Sequence, residues 1–242
     1  MYSPKIKRYQ KKFEYSYAFG AYPVLDLLKY HSEKVYTILL KKEGLGSEGI
    51  SEIESICKEK GINIEINGRL IDKVAVKENT YVVAVFKKYE SKVSEQDNHL
   101  VLVNPSNMGN IGTIIRTMLG FGFKDLILIK PAVDIFDPLV IRSTMGALFS
   151  IRFEYFENIS EYLERFPNYN KYPFMLNGAK DIKDVKFVKP YSLIQGNEST
   201  GLDDSYLNIG QSVYIPHSKD IDSLNLSVAT SISLWEIFKR GS

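Results

Sequence analysis

A chain of 242 residues with 44% hydrophobic and 25% charged residues has the composition of an ordinary globular protein, with room for one large domain or two modest ones. The net charge is only +2, so bulk electrostatics gives no reason to expect a nucleic-acid partner. Cys57 is the single cysteine, no Cys/His cluster has zinc spacing, and no apolar run nears the roughly 20 residues of a membrane span, so the expectation is a cytoplasmic protein with no disulfide, structural metal or membrane segment.

Charge is uneven along the chain. Lys5, Lys7, Arg8, Lys11 and Lys12 crowd a basic arm over residues 1–15, with Tyr9 and Phe13 among them. No apolar stretch follows, so the arm is not a secretory signal. It reads equally as an RNA-contacting segment and as a solvated end. Helical spacing at Val24, Leu25, Leu27 and Leu28 predicts a helix over Tyr22–Glu33, with Pro23 in its first turn, and Val35–Leu40 reads as a strand. Ile50, Ile53, Ile56 and Cys57 mark a second helix face, stopped by Gly61. Ile62–Ile66 alternates like a strand, Arg69–Val74 suits a short helix, and Thr80–Phe86 is β-branched and aromatic enough for another strand. These elements make a small α/β/α module. The charged stretch Lys87–His99 is the linker candidate, giving a small domain over 16–95 and a second domain over 96–242.

The second half opens with an apolar strand, Leu100–Val103, then the polar loop Asn104–Gly112, a helical pattern at Ile111, Ile114, Ile115, Met118 and Leu119, and a strand at Leu126–Ile129. Strand, loop, helix and strand in about 30 residues predict a parallel βαβ unit. A helix at Leu139–Phe149, a strand at Phe153–Phe156, a helix at Ser160–Phe166 and a strand at Phe174–Leu176 follow, then strands at Tyr191–Ile194 and Val213–Ile215 and a last helix from about Leu226. Such alternation argues an α/β fold with a mostly parallel sheet.

Three loops leave these strands with polar residues. Gly109-Asn110-Ile111-Gly112 is not G-x-G-x-x-G, and the next strand ends Ile129-Lys130-Pro131 without an acid for a ribose diol, which disfavours a Rossmann dehydrogenase or an ordinary Rossmann methyltransferase. Arg116 lies in an otherwise apolar helical stretch, so it either snorkels to solvent or faces a polar site. Gly196–Glu198 and Ser223–Asn225 read as two sides of a ligand site at strand ends. Glu198 reads equally as a helix cap, and capping is the default role for Ser223 and Asn225.

Taken together, these segments resemble the SpoU/TrmH family of RNA ribose 2′-O-methyltransferases in the SPOUT superfamily. The first motif is similar to Asn104-Pro105 through Asn110-Ile111-Gly112 to Arg116, and the second to Leu193–Gly201 with its Gly-Asn-Glu core. The third is similar to Ile215-Pro216 followed by Ser223-Leu224-Asn225-Leu226-Ser227. The resemblance implies a deep trefoil knot in the C-terminal α/β domain, a homodimer, and an attached small RNA-binding domain. It implies S-adenosylmethionine (SAM) as cofactor, held by Gly196, Ile215 and Leu224 with Asn177, Gly178 and Ala179 nearby. By motif match Arg116, Asn104, Glu198, Ser223 and Asn225 form the catalytic region, with Arg116 acting across the dimer interface. The implied substrate is structured RNA, ribosomal in preference to transfer RNA, and the chemistry needs no metal because SAM carries its own leaving group. A non-catalytic RNA-binding homologue of the same fold is the alternative. Ser199 and His217 depart from the family pattern, as does the absence of His-Gln-Gly after Thr80–Phe86.

Overall fold

The computed structural model describes residues 4–177 and 179–241, which divide into two units. The first comprises residues up to Glu90 together with Asp134–Ser150. Its elements are β1 (Tyr15–Phe19), α1 (Ala21–His31), β2 (Val35–Leu40), α2 (Glu48–Lys60), β3 (Ile64–Ile66), α3 (Gly68–Val74) and β4 (Val82–Lys87). The strands form one mixed sheet in the order β1-β4-β2-β3, with only β2 and β3 parallel. Side chains alternate across it, as a pleated strand requires. Tyr17, Phe19, Leu39, Val83 and Val85 share a core with Ile71 and Val74 of α3. Val24, Leu27 and Leu28 of α1 and Ile50, Ile53 and Cys57 of α2 are buried as the helical spacing predicts. Gly61 ends α2 at φ 67°, a left-handed position that suits glycine.

The strand β1 is not foreseen by the sequence reading, because YSYAF follows the basic arm without a turn signal. The larger difference is the place of Asp134–Ser150, which chain order assigns to the second domain. Phe136 and Phe149 set their rings against Phe86 of β4, at 5.9 and 5.5 Å between centroids. The buried Ser16 hydroxyl donates to the Phe136 carbonyl. Apolar burial, not chain continuity, places this segment in the first unit.

The second unit holds Ser91–Val133 and Ile151 onward. Its elements are β5 (His99–Val103), α4 (Met108–Gly120), β6 (Asp125–Ile129), then, after α5 (Pro138–Ser143) of the first unit, β7 (Arg152–Phe156), α6 (Ile159–Arg165), β8 (Asn170–Pro173), β9 (Lys180–Asp181), β10 (Tyr191–Gln195), β11 (Val213–Tyr214) and α7 (Leu226–Gly241). Five parallel strands pair in the order β7-β6-β5-β10-β8. The predicted strand at Phe174–Leu176 lies earlier, at β8, and Phe174 keeps a single bridge to Val213. The strand read at Val213–Ile215 joins no main sheet; β11 pairs with β9 in a two-stranded one. From β5 the chain builds outward to β6 and β7, then crosses to β8 and returns to β10 beside β5. That reversal makes the carboxyl ends of β5 and β10 the place where such a sheet holds a ligand.

The opposite, amino end of β5 carries a closed polar network. His99 is wholly buried, and its Nε2 lies 2.7 Å from the Ser94 carbonyl, to which it donates. Nδ1 is then the acceptor for the Tyr162 hydroxyl at 2.9 Å, and that hydroxyl also meets Ser192 Oγ. Beside them the buried Asp125 receives Arg152 through both carboxylate oxygens and the Ser94 N–H at 2.8 Å. The charged stretch read as a linker is therefore pinned from Ser94 onward against the sheet end.

Candidate active site

Each of the three loops at the carboxyl end is shaped by its own sequence. Gly196 leaves β10 into a tight hairpin, in which Asn197 and Gly201 exchange backbone hydrogen bonds of 3.3 and 2.9 Å. A Cβ at Gly196 would stand 2.5 Å from the Leu202 nitrogen and closer still to the Gly201 carbonyl carbon, and Gly201 has φ 66°, so both glycines are required by the turn itself. The Asn197 amide donates to the Asn104 carbonyl at 2.6 Å, tying this hairpin to the end of β5.

Glu198 is held by the start of α4. Its Oε2 accepts from the Ser106 N–H at 3.2 Å and the Ser106 hydroxyl at 3.0 Å, and its Oε1 from the Asn107 N–H at 3.0 Å and Asn110 Nδ2 at 3.3 Å. A carboxylate at a helix N-terminus gains both from free N–H groups and from the helix dipole. Burial pushes the Glu198 carboxyl up, but the N–H groups around it, its own and those of Asn107 and Ser106, with the Asn110 amide, outweigh burial and hold it below the usual range. Asn107 itself caps α4, accepting from the Asn110 N–H at 3.0 Å.

Asn110 also reaches the third loop, since its Oδ1 accepts from Asn225 Nδ2 at 3.3 Å. Asn225 in turn accepts from the Ser227 N–H at 2.9 Å and the Ser227 hydroxyl at 2.7 Å, capping α7. One side chain thus joins Glu198 of the second motif to Asn225 of the third. Asn110 belongs to the first motif, and its position three residues after the Asn107 cap is the signal in sequence that places it at the start of α4. Ser106, Asn107 and Asn197 complete the group around Glu198, and of these only Ser106 has no place in the sequence argument.

Behind Glu198 lies a cavity of about 420 Å³, within the usual range for small-molecule sites. Gly196, Glu198, Ile215, Ser223, Leu224 and Asn177 all line it, so most of the residues named from sequence meet on one wall system. Ala179 is not among the lining residues, and Gly178 lies outside the described residues. Asn104 takes φ 51° and its amide donates to the Lys130 carbonyl at 2.6 Å, so its side chain is bonded at the end of β6 and is not joined to the Glu198 group. Arg116 is exposed on α4 and makes no hydrogen bond or ion pair among the described residues. No group of acids, histidines or cysteines suited to a metal ion occurs among the described residues.

Polar groups on backbone donors beside a mixed polar and apolar cavity suit a charged, nucleoside-sized ligand. Comparison with known proteins gives this arrangement a lineage. A 23S rRNA (uridine(2479)-2'-O)-methyltransferase of Streptomyces viridochromogenes is 31% identical over 145 residues, a match that covers 56% of this chain and 50% of that protein. A 23S rRNA (guanosine-2'-O-)-methyltransferase RlmB of Acinetobacter baylyi is 24% identical over 245 residues, covering 93% of this chain and 97% of that one. The crystal structure of an AdoMet-bound rRNA methyltransferase from Sinorhizobium meliloti superposes with a TM-score of 0.80 at 26% identity, covering 94% of this chain and 88% of that one. Residues 97–235, which contain β5, β10 and all three loops, match the model of the SpoU rRNA Methylase family, and the chain belongs to that family.

Proposed function

We propose that this protein transfers a methyl group from SAM to a ribose 2′-hydroxyl of RNA, with ribosomal RNA as the substrate class. The observation that carries the reading is the Asn110 bridge, which joins Asn225 to Glu198, itself a lining residue of the cavity together with Gly196, Ile215 and Leu224. Two relatives that run nearly the whole length of this chain, first unit included, are rRNA enzymes by name, which favours ribosomal over transfer RNA, and the first unit is read as an RNA-binding domain.

The cavity suits the cofactor in size and in donor set. The peptide groups of Gly196, Ile215 and Leu224 would hold it, and when bound it supplies a methyl on a positive sulfur. The protein's own task is to orient the hydroxyl and remove its proton. Glu198 is committed to Ser106, Asn107 and Asn110, so it positions the loop and does not act as a base. Ser223 lines the cavity and Asn225 is exposed between the lining residues Leu224 and Leu226, so both are available to a ribose. Arg116 keeps its guanidinium free for a phosphate or a developing alkoxide, where a planar fork serves better than a point charge.

A homodimer completes this reading. Val228, Trp235 and Phe238 are 46%, 50% and 46% exposed on one stripe of α7, an apolar face of the kind that marks an interface. Phe121 at the end of α4 packs on Trp235 and Phe238, so the stripe continues onto the helix that carries Arg116. A second copy on this face would bring its own Arg116 to the site, within a trefoil-knotted C-terminal domain. Calorimetry with SAM tests the proposal first: micromolar binding by the folded protein is expected, and no binding overturns it. Mapping of 2′-O-methyl groups in total RNA with and without the gene then identifies the substrate; loss of a ribosomal site is expected, and loss of only a transfer-RNA site refutes that class.

A further inference from the structure

Residues 4–13, PKIKRYQKKF, hold five cations and no acid. A mobile arm would offer its rings for stacking on bases. The structure gives those rings other work. Phe13 stacks on Tyr15 with centroids 5.0 Å apart. The Tyr9 hydroxyl donates to Asp134, and Lys88 Nζ lies 4.8 Å from the centre of the Tyr9 ring. The backbone is fastened as well. The Tyr15 hydroxyl donates to the Lys5 carbonyl at 2.9 Å, and Lys88 Nζ to the Lys11 carbonyl at 2.9 Å. Lys7 is held at both its polar groups: its N–H donates to the Tyr17 hydroxyl at 3.1 Å, and that hydroxyl donates back to its carbonyl. Pro4 and Ile6 are buried, and Ile6 belongs to the core over β1 and β4.

What remains outward is charge. Lys5, Lys7, Arg8, Lys11 and Lys12 are exposed, and none of their side chains has a hydrogen-bond or ion-pair partner among the described residues. Unpaired cations on a backbone already ordered are suited to a polyanion, because the ordering entropy of the arm is not lost again on binding. We propose that these five residues form a fixed strip that holds the phosphate backbone of the RNA substrate without reading its bases. The proposal rests on the reading of RNA as substrate. It changes what the arm contributes: affinity in place of sequence choice.

The test replaces the five cations together by glutamine, beside a control in which Lys42, Lys58, Lys60, Lys73 and Lys77 of the same unit, all exposed, are replaced instead. Both variants lose the same charge. Binding of a mixed-sequence single-stranded RNA and of a hairpin RNA is measured across a salt series, with SAM calorimetry on each protein. The strip variant is expected to bind both RNAs at least roughly tenfold more weakly, with the slope of log K against log salt shallower by about 3.5–4.5, since each of five phosphate contacts contributes about 0.7–0.9. The control is expected to change less than about twofold. Equal losses in the two variants reduce the effect to bulk charge and overturn the proposal, as does an unchanged strip variant or a loss that depends on base identity. SAM affinity separates the two readings: its absence in the parent protein defeats the methyltransferase reading, while RNA binding still judges the strip.

Discussion

Strand β5 separates two polar networks five residues apart, and they are opposites in construction. At its amino end His99, Tyr162 and Ser192 are fully buried and bonded to one another, and the buried Asp125 beside them is bonded to Arg152 and the Ser94 N–H. At its carboxyl end Glu198 lines the cavity, and Asn110 and Asn225 link it to the starts of α4 and α7. A buried network must satisfy every group internally or lose several kcal/mol, so it tolerates no vacancy and offers nothing to a ligand. A network at a rim has solvent as a substitute partner. It contributes little to stability and is free to act on what enters the cavity. Partnering alone does not distinguish structure from function here; access does.

The sharpest way to break the buried member is Arg152→Ala. Asp125 would keep only the Ser94 N–H, and an uncompensated buried carboxylate costs about 3–5 kcal/mol, read as a lower urea midpoint. SAM affinity of the folded fraction should not change. If stability held within about 1 kcal/mol, the buried pair would be as expendable as a surface one.

Glu198→Ala inverts that pattern. Stability should move by about 1 kcal/mol or less, while methyl transfer falls about a hundredfold, because the hairpin loses its register on α4. A variant with normal turnover would show that the helix start alone sets the loop.

A pH series sharpens the contrast further. Burial lowers the His99 pKa, although the Ser94 carbonyl and the Asp125 and Asp97 charges act against that. A base whose folded pKa is depressed stabilises fully above its unfolded value, near 6.5, and less as pH falls through the folded one. Stability should therefore decline from pH 7 to pH 5, by at most about 2 kcal/mol from this residue. The slope should flatten in His99→Gln. Glu198, held below the usual carboxylate range, stays charged over that interval, so SAM affinity should remain level. A parallel fall in both would contradict the separation of the two ends.

The smallest difference is between two asparagines of one motif. Asn110→Ala should lower turnover about tenfold by cutting the bridge between Glu198 and Asn225, at little cost in stability. Asn104→Ala should cost about 1 kcal/mol through its left-handed backbone and lost carbonyl bond, and leave turnover within about threefold. Reversed outcomes would return Asn104 to the site.

These cases also show what the sequence made legible. The strands β5, β6 and β10 announced themselves as short apolar runs, and the loops after β5 and β10 followed from the α/β pattern. Gly196, Ile215 and Leu224, which line the cavity, are reached from sequence only through motif resemblance. Which asparagine of the first motif bridges Glu198 and Asn225 is not readable from sequence. Asn104 and Asn110 have the same chemistry, and only the positive φ at Asn104 turns its amide towards Lys130. Nor could pattern reading assign Asp134–Ser150 to the first unit, because apolar periodicity says that Phe136 and Phe149 are buried and not against which sheet. The histidine network escaped for a similar reason. His99, Tyr162 and Ser192 are scattered along the chain and meet only through strand pairing.

The hairpin after β10 bears on how any mutational survey of this protein is to be understood. At Gly196 a methyl group would collide with Gly201 and Leu202 before any cofactor arrived. Every substitution there would register as inactive, yet such a result reports a loop that fails to close, not a lost ligand contact. Ile215 and Leu224 line the same cavity and already carry side chains, so under the proposed function they are the positions at which cofactor recognition would be varied by degrees. Intolerance and contact are separate quantities in this loop, and the residue least tolerant of change is the one least able to measure binding.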